Sequence, residues 1–170
     1  MERAANFTMK DATIIEALQC YLPDAESTLR AGAALAPGLH GGMVVTLSGE
    51  LGAGKTTLVR GMLRELGWAG AVKSPSYALV EHYIISSLYF YHFDFYRFKD
   101  SSEWDATGFA EYFRPDAICV IEWPERIAGR LPPVDVAGVL THRESGRTLM
   151  LQAGTQPGKA CLDAYSAAMA

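Results

Sequence analysis

Gly49-Glu50-Leu51-Gly52-Ala53-Gly54-Lys55-Thr56 is the stretch on which the fold turns. It satisfies the spacing G-x-x-x-x-G-K-[ST]. Met43–Leu47 before it is short, apolar and partly β-branched, the pattern of a strand buried on both faces in a parallel sheet. Lys55–Leu66 after it reads as a helix that Gly67 stops. Strand, glycine-rich turn and helix in that order make a phosphate-binding loop. The glycines admit positive φ and let backbone N–H groups close on phosphate oxygens. The helix N-terminus adds free donors and the positive end of its dipole. In such a loop Glu50, Leu51, Gly52, Ala53, Gly54, Lys55, Thr56 and Thr57 surround the phosphates of a nucleotide, Lys55 can reach the β- and γ-phosphates, and the Thr56 hydroxyl can ligate Mg²⁺. The plainer alternative is a strand-to-helix turn with a surface lysine, and the two flanking elements favour the nucleotide.

Upstream, Ile14–Leu22 reads as a first strand that Pro23 ends, and Asp24–Ala36 as a helix with Asp24 as N-cap and Leu29, Ala33 and Ala36 at helical spacing. Downstream, Leu79–Ile85 and Leu88–Phe95 are rich in β-branched and aromatic residues and are separated by Ser86-Ser87 alone, which predicts a hairpin. Ser101–Phe113 reads as a helix capped by Ser101 or Ser102, Ala117–Ile121 as a second buried strand, and Pro124–Arg130 as a short helix. Val134–His142 and Arg147–Gln152 flank Glu144-Ser145-Gly146 as a second hairpin. Residues 1–12 read as a loose leader, 1–152 as one domain and 153–170 as a mobile tail. The class is α/β: a P-loop NTPase-like mixed β-sheet flanked by helices, with antiparallel hairpins.

With 170 residues, 49% of them hydrophobic, the chain can bury a core, which excludes global disorder. A net charge of −4 argues against a generic basic nucleic-acid binder. Cys20, Cys119 and Cys161 lie far apart without ligand spacing, so neither a zinc site nor a disulfide framework is expected, and a reducing cytoplasm fits best. No apolar stretch approaches the roughly 20 residues of a membrane helix, so no membrane partner is expected.

A hydrolytic P-loop protein also needs carboxylates near the metal, commonly at the ends of buried strands. Ala117–Ile121 runs into Glu122, and Leu88–Phe93 runs into Asp94. Each is a candidate, and each has a solvated strand-end acid as its plain alternative. In His92-Phe93-Asp94-Phe95-Tyr96-Arg97 the strand period puts His92, Asp94 and Tyr96 on one face, which allows an Asp94–His92 hydrogen bond. In Lys73-Ser74-Pro75-Ser76-Tyr77 a hydroxyl can sense a γ-phosphate, although a simple proline turn is the readier reading. Trp123 is a core plug or a cover for a nucleotide or partner, and Arg126 and Arg130 are solvated or meet an anion. No N-K-x-D guanine reader and no arginine-rich lid is present.

These four motifs, the loop with Thr57, Lys73–Tyr77, His92–Arg97 and Ile121-Glu122-Trp123-Pro124-Glu125-Arg126, closely resemble the bacterial TsaE (YjeE) family over about residues 22–152. The resemblance implies an ATP hydrolase, weak alone and gated by partners. It would be required for threonylcarbamoyladenosine modification of tRNA, act with the TsaD–TsaB transferase complex and meet tRNA indirectly through it. It further implies that Lys55 and Thr56 are the phosphate lysine and the Mg²⁺ hydroxyl. Asp94 would be a metal-site or water-orienting carboxylate, and Glu122 the second acid near Mg²⁺ in place of the usual aspartate. Ser74–Tyr77 would be a switch-like loop and Thr28 a neighbour of the base. Ser76 stands where the family often has threonine, and the hydroxyl survives. The competing readings are a small-molecule P-loop kinase and a nucleotide-sensing module without useful catalysis.

Overall fold

The computed structural model describes residues 13–170; the expected leader over 1–12 lies outside the described residues. Seven strands form one sheet: β1 (Glu16–Leu22), β2 (Val44–Ser48), β3 (Val80–Ile85), β4 (Leu88–Asp94), β5 (Ala117–Glu122), β6 (Val136–His142) and β7 (Arg147–Ala153). Their spatial order is β1-β7-β6-β2-β5-β4-β3. The central pairs β6–β2, β2–β5 and β5–β4 are parallel, and the outer pairs β1–β7, β7–β6 and β4–β3 are antiparallel. The mixed sheet and both hairpins are therefore as the sequence predicts. Parallel strands need long crossovers, and the two fully buried strands β2 and β5 are the apolar runs that such a sheet demands.

Three helices, α1 (Ala25–Leu35), α2 (Lys55–Glu65) and α3 (Gln156–Met169), share one apolar cluster with one face of the sheet, including Leu47, Leu58, Met62, Leu149 and Leu162. The other face carries an aromatic cluster built on Phe93, Phe95, Trp104 and Trp123 and covered by short 3₁₀ turns. Asp24 caps α1 as expected, accepting from the Ser27 N–H at 2.7 Å. No helix among the described residues is long and apolar enough to cross a membrane.

The short helix expected over Pro124–Arg130 is a single 3₁₀ turn, Pro124–Ile127, and the structure departs further from the sequence reading in three places. β1 begins at Glu16, two residues after Ile14. The helix expected over Ser101–Phe113 is two 3₁₀ turns, Ser101–Ala106 and Phe109–Tyr112, because Gly108 takes φ 71° between them. Its cap is Asp100, in a box with Glu103, rather than Ser101 or Ser102.

The third departure is the tail. Residues 153–170 are not loose: β7 runs to Ala153, and α3 follows with Cys161, Leu162 and Tyr165 buried. The Thr155 hydroxyl caps α3 by accepting from the Gly158 N–H at 3.1 Å and donates to Asp135, whose other oxygen accepts from the Val44 N–H at 2.8 Å. Gly158 reads as a helix breaker, yet its use is close packing: a Cβ there would come within 1.9 Å of the Asp135 carbonyl oxygen. Leu162→Ala should therefore cost about 2–5 kcal/mol in chemical denaturation, the scale for truncating a buried leucine. A change inside about 0.5 kcal/mol, normal for a surface site, would mean that α3 is not docked.

Candidate functional site

The parallel register places the site. Leu47, Glu122 and Asp94 are lateral partners at the C-terminal ends of β2, β5 and β4, the edge where ligands gather in open α/β sheets. The chain leaves β2 there, turns through residues 49–54 and enters α2 at Lys55. Gly54 is left-handed at φ 108°, a backbone that strains any side chain, and the Arg147 guanidinium fills the space a Cβ would take. The result is an open cleft of about 370 Å³ lined by Leu51, Gly52, Gly54, Lys55, Thr56 and Thr57 of the loop and helix start. Ser74, Asp94, Glu122, Trp123 and Arg147 also line it.

Lys55 is 4% exposed. Its Nζ donates to the carbonyls of Gly49 at 2.6 Å and Glu50 at 2.8 Å, and sits 4.5 Å from the centre of the Trp123 ring. Burial pulls its pKa below the ordinary lysine value, while Glu122, Asp94, Glu125 and Glu50 push it back. Thr56 donates its hydroxyl to Glu122 Oε1 at 2.8 Å. Asp94 accepts from the Ser74 hydroxyl at one oxygen and from the Tyr96 N–H at 2.9 Å at the other. Asp94 and Glu122 are each 3% exposed, so the alternative of two solvated strand-end acids does not hold. All four sequence-predicted polar residues, Lys55, Thr56, Asp94 and Glu122, thus meet at one cleft, with Ser74 of the expected switch segment.

Other sequence expectations are placed differently. His92 does not pair with Asp94; its Nε2 lies 2.8 Å from Glu122 Oε1. β4 ends at Asp94, so the alternation does not carry on to Tyr96, which turns out and packs 5.0 Å from Trp123. Trp123 takes left-handed backbone at φ 59° directly after Glu122, which turns its ring over Lys55. Thr28 is fully buried and donates its hydroxyl to the Asp24 carbonyl at 2.9 Å, with its methyl beside Gly54; α1 meets the cleft through Ala25. Glu50 and Leu51 are exposed on the loop, and buried Ala53 offers its carbonyl to Arg147 Nη1 at 3.0 Å. Arg126 donates to the Phe98 carbonyl, and Arg130 pairs with Asp105 on the surface.

Arg147 is the residue that sequence reasoning missed. It begins β7, far from the loop in sequence, and the β6–β7 hairpin carries it across to the Ala53 carbonyl. Its one signal is an arginine directly after the turn Glu144-Ser145-Gly146. Glu125 is a second. Its Oε2 and the nearby Ser48 hydroxyl are buried without a hydrogen bond of ordinary geometry among the described residues. Burial raises the Glu125 carboxyl above the usual range, against Lys55 and Arg126.

The oxygen donors lining the cleft are two carboxylates, Asp94 and Glu122, and three hydroxyls, Thr56, Thr57 and Ser74. That is an all-oxygen set suited to Mg²⁺, which keeps waters and takes few protein ligands. No cluster of three or more His, Cys, Asp and Glu residues suited to a metal occurs among the described residues.

Fold, loop and cleft define a P-loop α/β protein. The family model described as "Threonylcarbamoyl adenosine biosynthesis protein TsaE" matches residues 22–150. A Haemophilus influenzae protein named "tRNA threonylcarbamoyladenosine biosynthesis protein TsaE" is 43% identical over 157 residues, covering 89% of this chain and 99% of its own length. A Nostoc protein of the same name is 34% identical over 143 residues, covering 82% of this chain and 87% of its own. The crystal structure of Bacillus subtilis YdiB superposes with a TM-score of 0.80 at 26% identity, over 94% of this chain and all of that one. The chain belongs to the TsaE family.

Glu125 yields a pH signature. Its folded pKa lies above its unfolded value near 4.3, so between the two the native state holds more protons and stability falls as pH rises. The penalty is complete above the folded value. Glu125→Gln should melt higher than the parent at pH 7–8, with the gain shrinking as pH falls and vanishing only below the unfolded value. A difference in Tm that stays constant across that range would contradict the assignment.

Proposed function

We propose that this chain is a Mg²⁺-dependent ATP hydrolase, slow alone, that serves threonylcarbamoyladenosine modification of tRNA in the cytoplasm together with a TsaD–TsaB transferase complex. The observation that carries the reading is the line Lys55–Thr56–Glu122–Asp94 along one cleft edge. A buried lysine, a hydroxyl and two strand-end acids stand there in adjacent positions, which supports a phosphate- and metal-binding role for them. The names of the H. influenzae and Nostoc relatives support the place in tRNA modification.

Backbone N–H groups of the loop and of the first turn of α2 hold the β-phosphate. Lys55 exchanges its contacts with the Gly49 and Glu50 carbonyls for phosphate oxygens, a short swing because the ammonium already lies over the loop. Arg147, anchored on Ala53, adds a second cation at the cleft wall. Thr56, Glu122 and Asp94 would hold Mg²⁺, directly or through water, and the ion supplies charge neutralisation on the transferring phosphoryl group. Asp94 and Glu122 are the two groups placed to orient the attacking water and accept its proton, giving ADP, phosphate and one released proton. Ser74 couples this to the segment before β3 through its hydrogen bond to Asp94. Net charge −4 makes a direct, extended grip on tRNA unfavourable, so tRNA is reached through the complex.

The test is Mg²⁺-dependent ATP hydrolysis by the chain alone, then with the TsaD–TsaB complex and tRNA. A slow basal rate that changes on assembly is expected. Lys55→Ala should lower hydrolysis about 10²–10³-fold, the scale of losing one group aimed at developing charge. Glu122→Ala should lower hydrolysis and tRNA modification together. A rate indifferent to the complex, with modification unaffected by either variant, would overturn the reading.

A further inference from the structure

His92 has no solvent exposure, although it lies in the middle of β4 one strand away from Glu122. Burying an imidazole is unfavourable unless its nitrogens are used. Its two nitrogens are used unequally. Nε2 lies 2.8 Å from Glu122 Oε1, and Nδ1 is buried with no partner among the described residues. A proton on Nδ1 would meet no acceptor, whereas one on Nε2 meets a carboxylate. The geometry therefore assigns the Nε2–H tautomer and makes His92 a donor to Glu122.

The same oxygen, Glu122 Oε1, also accepts the Thr56 hydroxyl at 2.8 Å. Two donors, one from β4 and one from the first turn of α2, converge on it and leave Oε2 with neither. This matters because a glutamate stands where P-loop NTPases commonly carry an aspartate. The extra methylene adds a rotatable bond and a wider range of carboxylate positions. A single hydroxyl tether leaves that range open, and a second donor from a fixed strand closes it.

We propose that His92, through Nε2–H, is the positioning residue that locks the Glu122 carboxylate onto the Thr56 hydroxyl, and so sets the affinity of the cleft for the divalent cation that accompanies a nucleotide. The inference rests on the nucleotide-hydrolase reading above. Partners that orient a metal-binding carboxylate typically matter about 10–100-fold in metal affinity.

Calorimetric titration of ADP into the full chain, across a Mg²⁺ series and in EDTA, separates cation binding from nucleotide binding. His92→Gln places an amide N–H near the ring Nε2 position, His92→Asn reaches only as far as Nδ1, and His92→Leu has no donor. The Asn and Leu variants should need about tenfold more Mg²⁺ for half-saturation, and Gln about the parental level, while ADP affinity in EDTA stays within about twofold for all three. An Asn or Leu variant with parental Mg²⁺ dependence overturns the proposal. Equal losses in all three variants, in EDTA as well as Mg²⁺, also overturn it, because that is the signature of a merely structural histidine. A parent chain that binds no ADP in either condition overturns the hydrolase reading instead. Nitrogen NMR of the ligand-free chain then still tests the tether. It should show an exchange-protected His92 Nε2–H whose resonance shifts in Glu122→Ala. A ring that carries its proton at Nδ1 and none at Nε2 overturns the tether.

Discussion

The ammonium of Lys55, held almost entirely out of water, is the constraint around which the rest of the site is arranged. A buried charge is tolerated only with polar partners. Two loop carbonyls, the Trp123 ring face and surrounding carboxylates supply them. Each supplier makes its own demand on the chain. The carbonyls require the glycine-permitted turn, the carboxylates require β4 and β5 to end level with β2, and the indole requires Trp123 to take left-handed backbone. The sheet order follows from these demands, because β2 must lie beside β5, and β5 beside β4, for the three strand ends to face one helix N-terminus.

Much of this was legible in the residues alone, for local reasons. The loop, β2, α2 and the two hairpins are each encoded by neighbours: glycines at fixed spacing, an apolar run, a short serine or glycine turn. Asp94 and Glu122 were legible as candidates because each directly follows a buried apolar run, while their burial at one cleft is visible only in the fold. What was not legible depends on contacts distant in sequence. Arg147 reaches the loop from more than ninety positions away, and nothing around it advertises the destination. The strand period allows His92 a bond to Asp94 on the same face, and side-chain alternation has no means of preferring the adjacent strand's Glu122.

The tail shows the same limit in packing. Gly158 and Pro157 look like the punctuation of a loose end, yet Pro suits a first helical turn and Gly158 is the spot where α3 lies against Asp135. Conversely, Ser101–Phe113 has helical composition, and the single positive φ at Gly108 divides it into two turns that cap the aromatic layer. In both cases a glycine's meaning was decided by what stood opposite it, which a linear reading does not contain.

The lateral pairing of Asp94 with Glu122 has a mechanical consequence. Neighbouring strands are spaced about 4.8 Å apart by their hydrogen bonds, so the backbone positions carrying the two acids are fixed by the sheet. Arg147 is mounted in the same way, at the first residue of β7 between β1 and β6, so three of the four charged residues lining the cleft ride on the sheet. Lys55 alone reaches it from a helix that follows a glycine-rich turn. The spacing among the two acids and Arg147 is therefore set at the backbone by strand geometry, and the lysine is the one charge whose distance from them depends on the turn.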